Sequence, residues 1–163
     1  MEEEKDEYTS FVGKYIQLSN ELEGISTFFV IKHYVGFNDS VKLNEFLSNF
    51  IVKPEMTFQR IVKIFFDIIK THHSEFQTKN KELFCSNILN EIVWYRNILA
   101  HSTFMKCDEI EVYYLNWFSN DERLKKYEID DIYNFKIKKS EFMNYYIKLK
   151  SIISILNLDS LGR

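Results

Sequence analysis

A long apolar stripe near the start of the chain most narrowly limits the fold. Its members recur at alternating steps of four and three residues, which places them on one face of a helix. The stripe comprises Phe11, Tyr15, Leu18, Leu22, Ile25 and Phe29. Because the chain holds only four glycines and one proline, it has few residues for the turns of an all-β fold. We therefore expect a mainly α fold whose first helix ends near Gly36.

Similar apolar spacing predicts further helices along the chain. Asn38-Asp39-Ser40 is rich in capping residue types and precedes a shorter helix, and Pro54 suits the first turn of the next one. The apolar face of that helix comprises Phe58, Ile61, Val62, Phe65, Ile68 and Ile69. Thr71-His72-His73-Ser74 is typical of a loop, and a helix from about Lys79 to His101 follows it.

After residue 109 the spacing of the apolar residues changes from the helical repeat to every second residue, which is typical of a β-strand. Ile110, Val112 and Tyr114 alternate with other residues, and so do Tyr133, Phe135 and Ile137, with turn residues Asn120-Asp121-Glu122 between the two runs. This pattern predicts a small β-hairpin, after which Ser140 can cap a last helix. The expected fold is an up-and-down helical bundle of four to five helices. The hairpin is expected between the helix that ends near His101 and the last helix.

The length of 163 residues suits one domain, which we place at residues 8–163. Residues 1–7 hold five acids and one lysine and are expected to be a disordered N-terminus. Because the whole chain carries −3 and this segment −4, the remaining chain is nearly neutral at +1. A polyanion partner is neither indicated nor excluded by such a charge, and any contact with a nucleic acid must be local.

The cellular location is predicted from the N-terminus and from the cysteines. Met1-Glu2-Glu3-Glu4 lacks the basic and apolar regions of a secretory signal, and Cys85 and Cys107 are the only cysteines. Charged residues interrupt the richest apolar stretches, so that no run reaches the length of a membrane span. We expect a cytoplasmic protein with free thiols and no membrane partner.

The segment 95–102 is where polar side chains converge with a spacing that suggests chemistry. Arg96 supplies a permanent cation, and His101 titrates near neutrality. Together they can hold a phosphodiester and move a proton without a metal or another cofactor. At 100° per residue, however, Arg96 and His101 diverge by about 140° on a straight helix, whereas Asn97 and His101 share a face. Arg96 and His101 can meet only if the helix ends between them or if two copies of the motif face each other.

A second apolar line on the same helix comprises Cys85, Leu89, Val93 and Ala100. It lies about 100° from the line that contains Ile88, Ile92 and Tyr95. Because one helical bundle would satisfy a single line, the second line requires another neighbour. That neighbour is either a further helix of this chain or a second subunit in a homodimer, for which these four residues would form the interface.

Arg96-Asn97 and Ala100-His101, placed late in a helical bundle, resemble the signature of the HEPN family. Many members of that family are metal-independent endoribonucleases that act as dimers, often as toxins or as effectors of antiviral defence. The resemblance implies that Arg96 binds and orients the scissile phosphate of single-stranded RNA and that His101 acts as acid or base. It implies that Asn97 orients the imidazole or the phosphate. The 2′-hydroxyl would attack phosphorus and leave a cyclic phosphate.

The sequence leaves open which partner the protein has and whether the motif is catalytic. A neutralising antitoxin or a larger defence complex is a possible partner, but Thr103 stands where related toxins often carry a tyrosine that their partner modifies. A non-catalytic module that binds a nucleotide or phosphate, or that only dimerises, is the alternative function.

Several other residues of types found in active sites are expected to have structural roles instead. His72 and His73 lack the third and fourth ligands of a recurring metal motif, and His33 is expected at a helix end. Cys85 and Cys107 are expected to be buried thiols rather than nucleophiles. Tyr113, Tyr114 and Trp117 could stack bases, but core packing is favoured.

Overall fold

The computed structural model describes residues 2–106, 112–116 and 134–158. The described residues form six α-helices and three strands, which confirms the mainly α fold with a small β element before the last helix. In chain order these are α1 (Glu2–Tyr34), α2 (Ser40–Phe46), a π-helical turn (Leu47–Ile51), α3 (Phe58–His72), α4 (Ser74–Lys79), α5 (Ser86–His101), β1 (Thr103–Lys106), β2 (Val112–Asn116), β3 (Asn134–Lys138) and α6 (Lys139–Leu158).

Contacts divide the chain into two compact units, whereas the sequence predicts a single domain over residues 8–163. One unit, here called the motif unit, comprises Met1–Gln17 and Trp94–Lys148. The other, here called the helical unit, comprises Leu18–Val93 and Leu149–Arg163. The divisions fall inside α1, α5 and α6, so each of these three helices contributes residues to both units.

In the motif unit, a three-stranded antiparallel sheet follows the end of α5. The strand order is β1-β2-β3, and Tyr113 of β2 pairs with Ile137 of β3. Tyr113, Leu115 and Ile137 are buried on one face of the sheet, as the two-residue alternation of a half-buried sheet requires. The predicted hairpin is therefore present as β2 and β3, and β1 extends it by one short strand. The expected turn at Asn120-Asp121-Glu122 lies outside the described residues.

In the helical unit, α3 buries the whole face that its spacing predicts. All six expected residues are buried, and Phe66 joins them. The ring of Phe65 packs edge-on against Phe29 of α1 at a centroid distance of 5.2 Å. α3 begins at Phe58 rather than near Pro54, because the Thr57 side chain accepts a hydrogen bond from the Arg60 amide at 3.3 Å and caps the first turn.

The helix that carries the motif begins later than the sequence predicts. α5 begins at Ser86, not near Lys79, because residues 80–85 form turns between α4 and α5. Asn80 ends α4: its amide nitrogen and its side-chain Nδ2 both donate to the Phe76 carbonyl. The predicted loop at Thr71-His72-His73-Ser74 is also shorter than expected, since α3 continues through His72 and α4 begins at Ser74.

The acidic segment belongs to α1, which differs from the expected disordered N-terminus. Glu2, Glu3 and Glu4 occupy the first turn of this helix of 33 residues. Carboxylates are favoured there because the amide groups of the first turn carry partial positive charge. Although α1 is long, its charged residues are spread along it, and no helix in the described ranges is both long and apolar enough to cross a membrane.

Gly36 ends α1, as the sequence predicts, in a left-handed backbone conformation with φ of 72°. Its amide donates to the Ile31 carbonyl at 3.1 Å, a bond typical of a helix that ends at glycine. A Cβ at Gly36 would meet nothing within 4 Å, and the same holds for Gly13 in the middle of α1. The two glycines therefore differ in backbone conformation and not in available space.

Gly36→Ala is expected to lower the free energy of unfolding by about 1–2 kcal/mol, because a Cβ is unfavourable in the left-handed conformation. Gly13→Ala is expected to raise it by about 0.5–1 kcal/mol, because alanine is the better helix former. Urea unfolding of the two variants measures both changes. Equal effects of the two substitutions would contradict the assigned end of α1.

Candidate functional site

Arg96, Asn97 and His101 all lie on α5, which continues without a break through the motif. His101 is its last residue, and the Ser102 amide donates to the Ile98 carbonyl at 2.7 Å. The helix therefore does not end between Arg96 and His101, which was one of the two conditions under which they could meet. At helical spacing they point about 140° apart, so one copy of α5 presents them on different faces.

The environments of the three motif side chains are different. Arg96 and Asn97 are half-buried, and Arg96 Nη1 donates to Asn97 Oδ1 at 3.3 Å. His101 is exposed at the C-terminal end of the helix. The amide of Asn97 thus helps to position the guanidinium, while the imidazole is accessible to a ligand.

Tyr8 of α1 supports the residues that directly follow the motif. Its hydroxyl lies 3.1 Å from Ser102 Oγ, and its ring centroid is 5.2 Å from that of Phe104 and 5.2 Å from that of Tyr113. Burial raises the pKa of Tyr8, so the hydroxyl keeps its proton at neutral pH. The sequence gives no signal for the contact of Tyr8 with Ser102, which lies 94 residues away.

Tyr95, which directly precedes the motif, anchors α5 to α6. The side chain is fully buried, and its hydroxyl donates to a carboxylate oxygen of Glu141. Its ring packs on Tyr145 at a centroid distance of 4.5 Å and on Phe142 at 5.4 Å. Because Tyr95 directly precedes Arg96, these contacts determine which way the arginine faces.

A cavity of ≈ 300 Å³ lies in the motif unit and has both cationic and aromatic walls. Lys14 and Lys139 supply the cations, and Tyr113 is one of the aromatic residues. Lys139 Nζ lies 3.0 Å from Glu7 Oε2 and 4.9 Å from the centroid of the Tyr113 ring. The acidic segment thus places one carboxylate against a lysine of this cavity, which the sequence did not indicate.

The second apolar line is only partly available to another subunit. Leu89 and Val93 are each 4% exposed and line the same groove as Val62 and Phe66 of α3. α3 is thus the neighbour that covers this part of α5, and a place for Leu89 and Val93 in a dimer interface stays a prediction. Cys85 is half-buried one residue before α5.

Ala100 is exposed at the other end of the line. Of the four predicted interface residues, it is therefore the one that presents an accessible side chain beside the motif. An interface between two copies would have to be centred on the last turn of α5 and not on its middle.

Several other sequence candidates are resolved by their surroundings. Tyr113 is buried between the rings of Tyr8, Phe104 and Phe142, which confirms core packing. His33 and His72 lie in the last turns of α1 and α3, and the expected position of His33 at a helix end is confirmed. Cys107 and Trp117 lie outside the described residues.

Tyr95→Phe is expected to lower the free energy of unfolding by about 1.5–3 kcal/mol, because it removes a buried hydrogen bond to a carboxylate. Thermal or urea unfolding measures the change. Tyr34→Phe is the matched control, since Tyr34 is 61% exposed and its variant should stay within about 0.5 kcal/mol of the wild type. Equal stability of the two variants would contradict the anchoring contact with Glu141.

Comparison with models of known protein families, with curated proteins and with solved structures finds no match to this chain. The geometry of the motif and its supporting residues are therefore the observations from which a function can be argued.

Proposed function

We propose that this chain is a metal-independent endoribonuclease of the HEPN type that cleaves single-stranded RNA as a homodimer in the cytoplasm. The observation that carries the proposal is the half-buried Arg96, held by Asn97, on the same helix as an exposed His101. A fixed cation and an accessible imidazole are the two groups that cleavage by the 2′-hydroxyl requires. The resemblance of the motif favours a toxin or an antiviral defence effector, with an antitoxin or a larger defence complex as partner.

In the proposed reaction, Arg96 binds the non-bridging oxygens of the scissile phosphate. His101 removes the proton of the adjacent 2′-hydroxyl, whose oxygen then forms a bond to phosphorus. The bond from phosphorus to the 5′-oxygen breaks, and that oxygen takes up the proton that the His101 imidazole has gained. The products are a 2′,3′-cyclic phosphate and a 5′-hydroxyl, so no water or metal ion is consumed.

The continuity of α5 supports the proposal of a dimer. Since one copy of the helix presents Arg96 and His101 about 140° apart, a complete site needs Arg96 of one protomer and His101 of the other. The exposed Ala100 lets the last turns of two α5 helices approach closely, because a methyl group occupies little space.

The cavity with Lys14 and Lys139 supports a local RNA contact in a chain that is nearly neutral outside its acidic segment. Tyr113 lines this cavity, its ring contacts Tyr8, and the Tyr8 hydroxyl contacts Ser102 next to His101. A strand of RNA that left the motif past this cavity would meet two ammonium groups and the half-buried rings of Phe11 and Tyr146. Both kinds of contact are used by proteins that bind single-stranded nucleic acids.

A non-catalytic module is the second candidate function, and the contact between Arg96 and Asn97 is the observation that favours it. An arginine that is half-buried and positioned by its neighbour can bind an anion, or support a dimer, without any proton transfer. In that case the protein would bind a nucleotide or phosphate and leave RNA intact.

His101→Ala is expected to lower the rate of single-stranded RNA cleavage by about 10²- to 10⁴-fold, because it removes the group that transfers the proton. The assay uses purified protein with EDTA present and detects cyclic phosphate ends. Arg96→Ala should also be inactive, whereas Arg60→Ala, which changes an exposed arginine on α3, should keep wild-type activity. Wild-type cleavage by a folded His101→Ala variant would favour the non-catalytic module.

A mixture of the Arg96→Ala and His101→Ala variants tests whether each site uses two protomers. Refolded together in equal amounts, they should recover about a quarter of the wild-type rate, because half of the dimers are mixed and each of these keeps one of two sites. RNA cleavage before and after mixing is the measurement. No recovery, with mixed dimers verified by mass spectrometry, would contradict a site shared in this way.

A further inference from the structure

Two helix ends in the helical unit bring histidines together that are far apart in the sequence. His33 lies in the last turn of α1, and His72 lies in the last turn of α3. Their ring centroids are 4.7 Å apart, and the ring planes are inclined by 48°. His73 follows directly, but its ring packs edge-on against Phe29 at 5.4 Å and is half-buried. The accessible pair is therefore His33 and His72.

The surroundings of this pair favour a cation. Both imidazoles are exposed, so an ion from solvent can reach them. Each lies at the C-terminal end of a helix, where the last carbonyl groups carry partial negative charge and stabilise a positive one. Two helix C-termini thus act on the same small volume, and the N-terminus of α4, which begins at Ser74, acts against them.

The imidazoles are also suited to act as ligands rather than as cations. Desolvation of the part of the ring that neighbouring side chains cover, together with the nearby His72 and His73, lowers the pKa of His33 from its ordinary value of 6.5. A lower pKa favours the neutral ring, which is the form that coordinates a metal ion. The closeness of the two rings is what places them to share one ion.

We propose that His33 and His72 form a two-histidine binding site for a divalent transition-metal ion of the class that prefers imidazole nitrogen, such as Ni²⁺, Cu²⁺ or Zn²⁺. In zinc sites of proteins the ion lies about 2.0–2.1 Å from each coordinating histidine nitrogen. Two exposed rings at this separation can reach that distance by rotation of their side chains. Within the described part of the chain, no group of three histidine, cysteine or acidic residues is placed to hold a metal. Water therefore supplies the remaining ligands.

A bound ion would join the C-terminal ends of α1 and α3 within the helical unit. Because the unfolded chain does not hold the two histidines together, the ion stabilises the folded state by preferential binding. The site lies on residues of the helical unit, whereas Arg96 and His101 belong to the motif unit. The proposed metal-independent cleavage is thus a separate property of the molecule.

The test is calorimetric titration of the full chain with Ni²⁺, after treatment with a chelator and removal of that chelator. We expect binding in the wild type and an affinity about 100-fold lower in His33→Gln and in His72→Gln, because each variant loses one of two linked ligands. Arg60→Gln is the control: it changes an exposed residue at the other end of α3 and should bind as the wild type does. Mg²⁺, which prefers oxygen ligands, should give no heat at this site.

Thermal unfolding is a second measurement, which separates variants that have lost a metal ligand from variants that bind weakly because they are not folded. Ni²⁺ should raise the melting temperature of the wild type and of Arg60→Gln, and it should not raise that of folded His33→Gln/His72→Gln. Binding of equal strength in this double variant, or no binding by the wild type, would overturn the proposal. RNA cleavage in the presence of EDTA is independent of every one of these outcomes.

Discussion

The unbroken backbone of α5 is the constraint on which the proposed chemistry depends. A helix rotates by about 100° per residue, so a spacing of five residues separates Arg96 from His101 by well over a right angle. Had α5 ended at Asn97, the chain could have turned His101 back toward Arg96 and completed a site alone. Because the helix continues to His101, one chain supplies two half-sites that face different directions. Symmetry in a dimer is the simplest arrangement that makes them whole.

Tyrosines connect this helix to the core of the motif unit. Tyr8 and Tyr95 bury large rings among aromatic neighbours, and each keeps a hydroxyl for a hydrogen bond, to Ser102 and Glu141 respectively. Aromatic pairs contribute about 0.5–1.5 kcal/mol beyond the area that they bury. Several such pairs around Phe142 therefore fix the direction of α5 strongly. Through these two hydroxyls the aromatic core also holds Ser102, which follows the motif, and Tyr95, which precedes it. A core of aliphatic side chains could not form such hydrogen bonds.

Features that depend on local periodicity could be predicted from the sequence. The buried face of α3, the end of α1 at Gly36 and the strands β2 and β3 follow from residue spacing and from turn chemistry. β1 could not be predicted, because four residues are too few to show an alternation and its pairing comes entirely from β2. The burial of Leu89 and Val93 beside α3 could not be predicted either, because an apolar helix face does not identify the element that packs on it. The approach of His33 to His72 has the same origin in tertiary structure.

The acidic segment is the clearest case in which charge and structure must be considered together. Its composition predicts a disordered tail, but Glu2–Glu4 stabilise the start of α1 and Glu7 reaches Lys139. That lysine is 17% exposed and Glu7 is 59% exposed, so the pair is partly screened and easily exchanged. In the proposed function, a phosphate that uses Lys139 must displace the Glu7 carboxylate. A single anion gains little by this exchange, whereas an RNA strand that also contacts Lys14 and Arg96 gains further attractions. The segment would thus select polyanions over small anions.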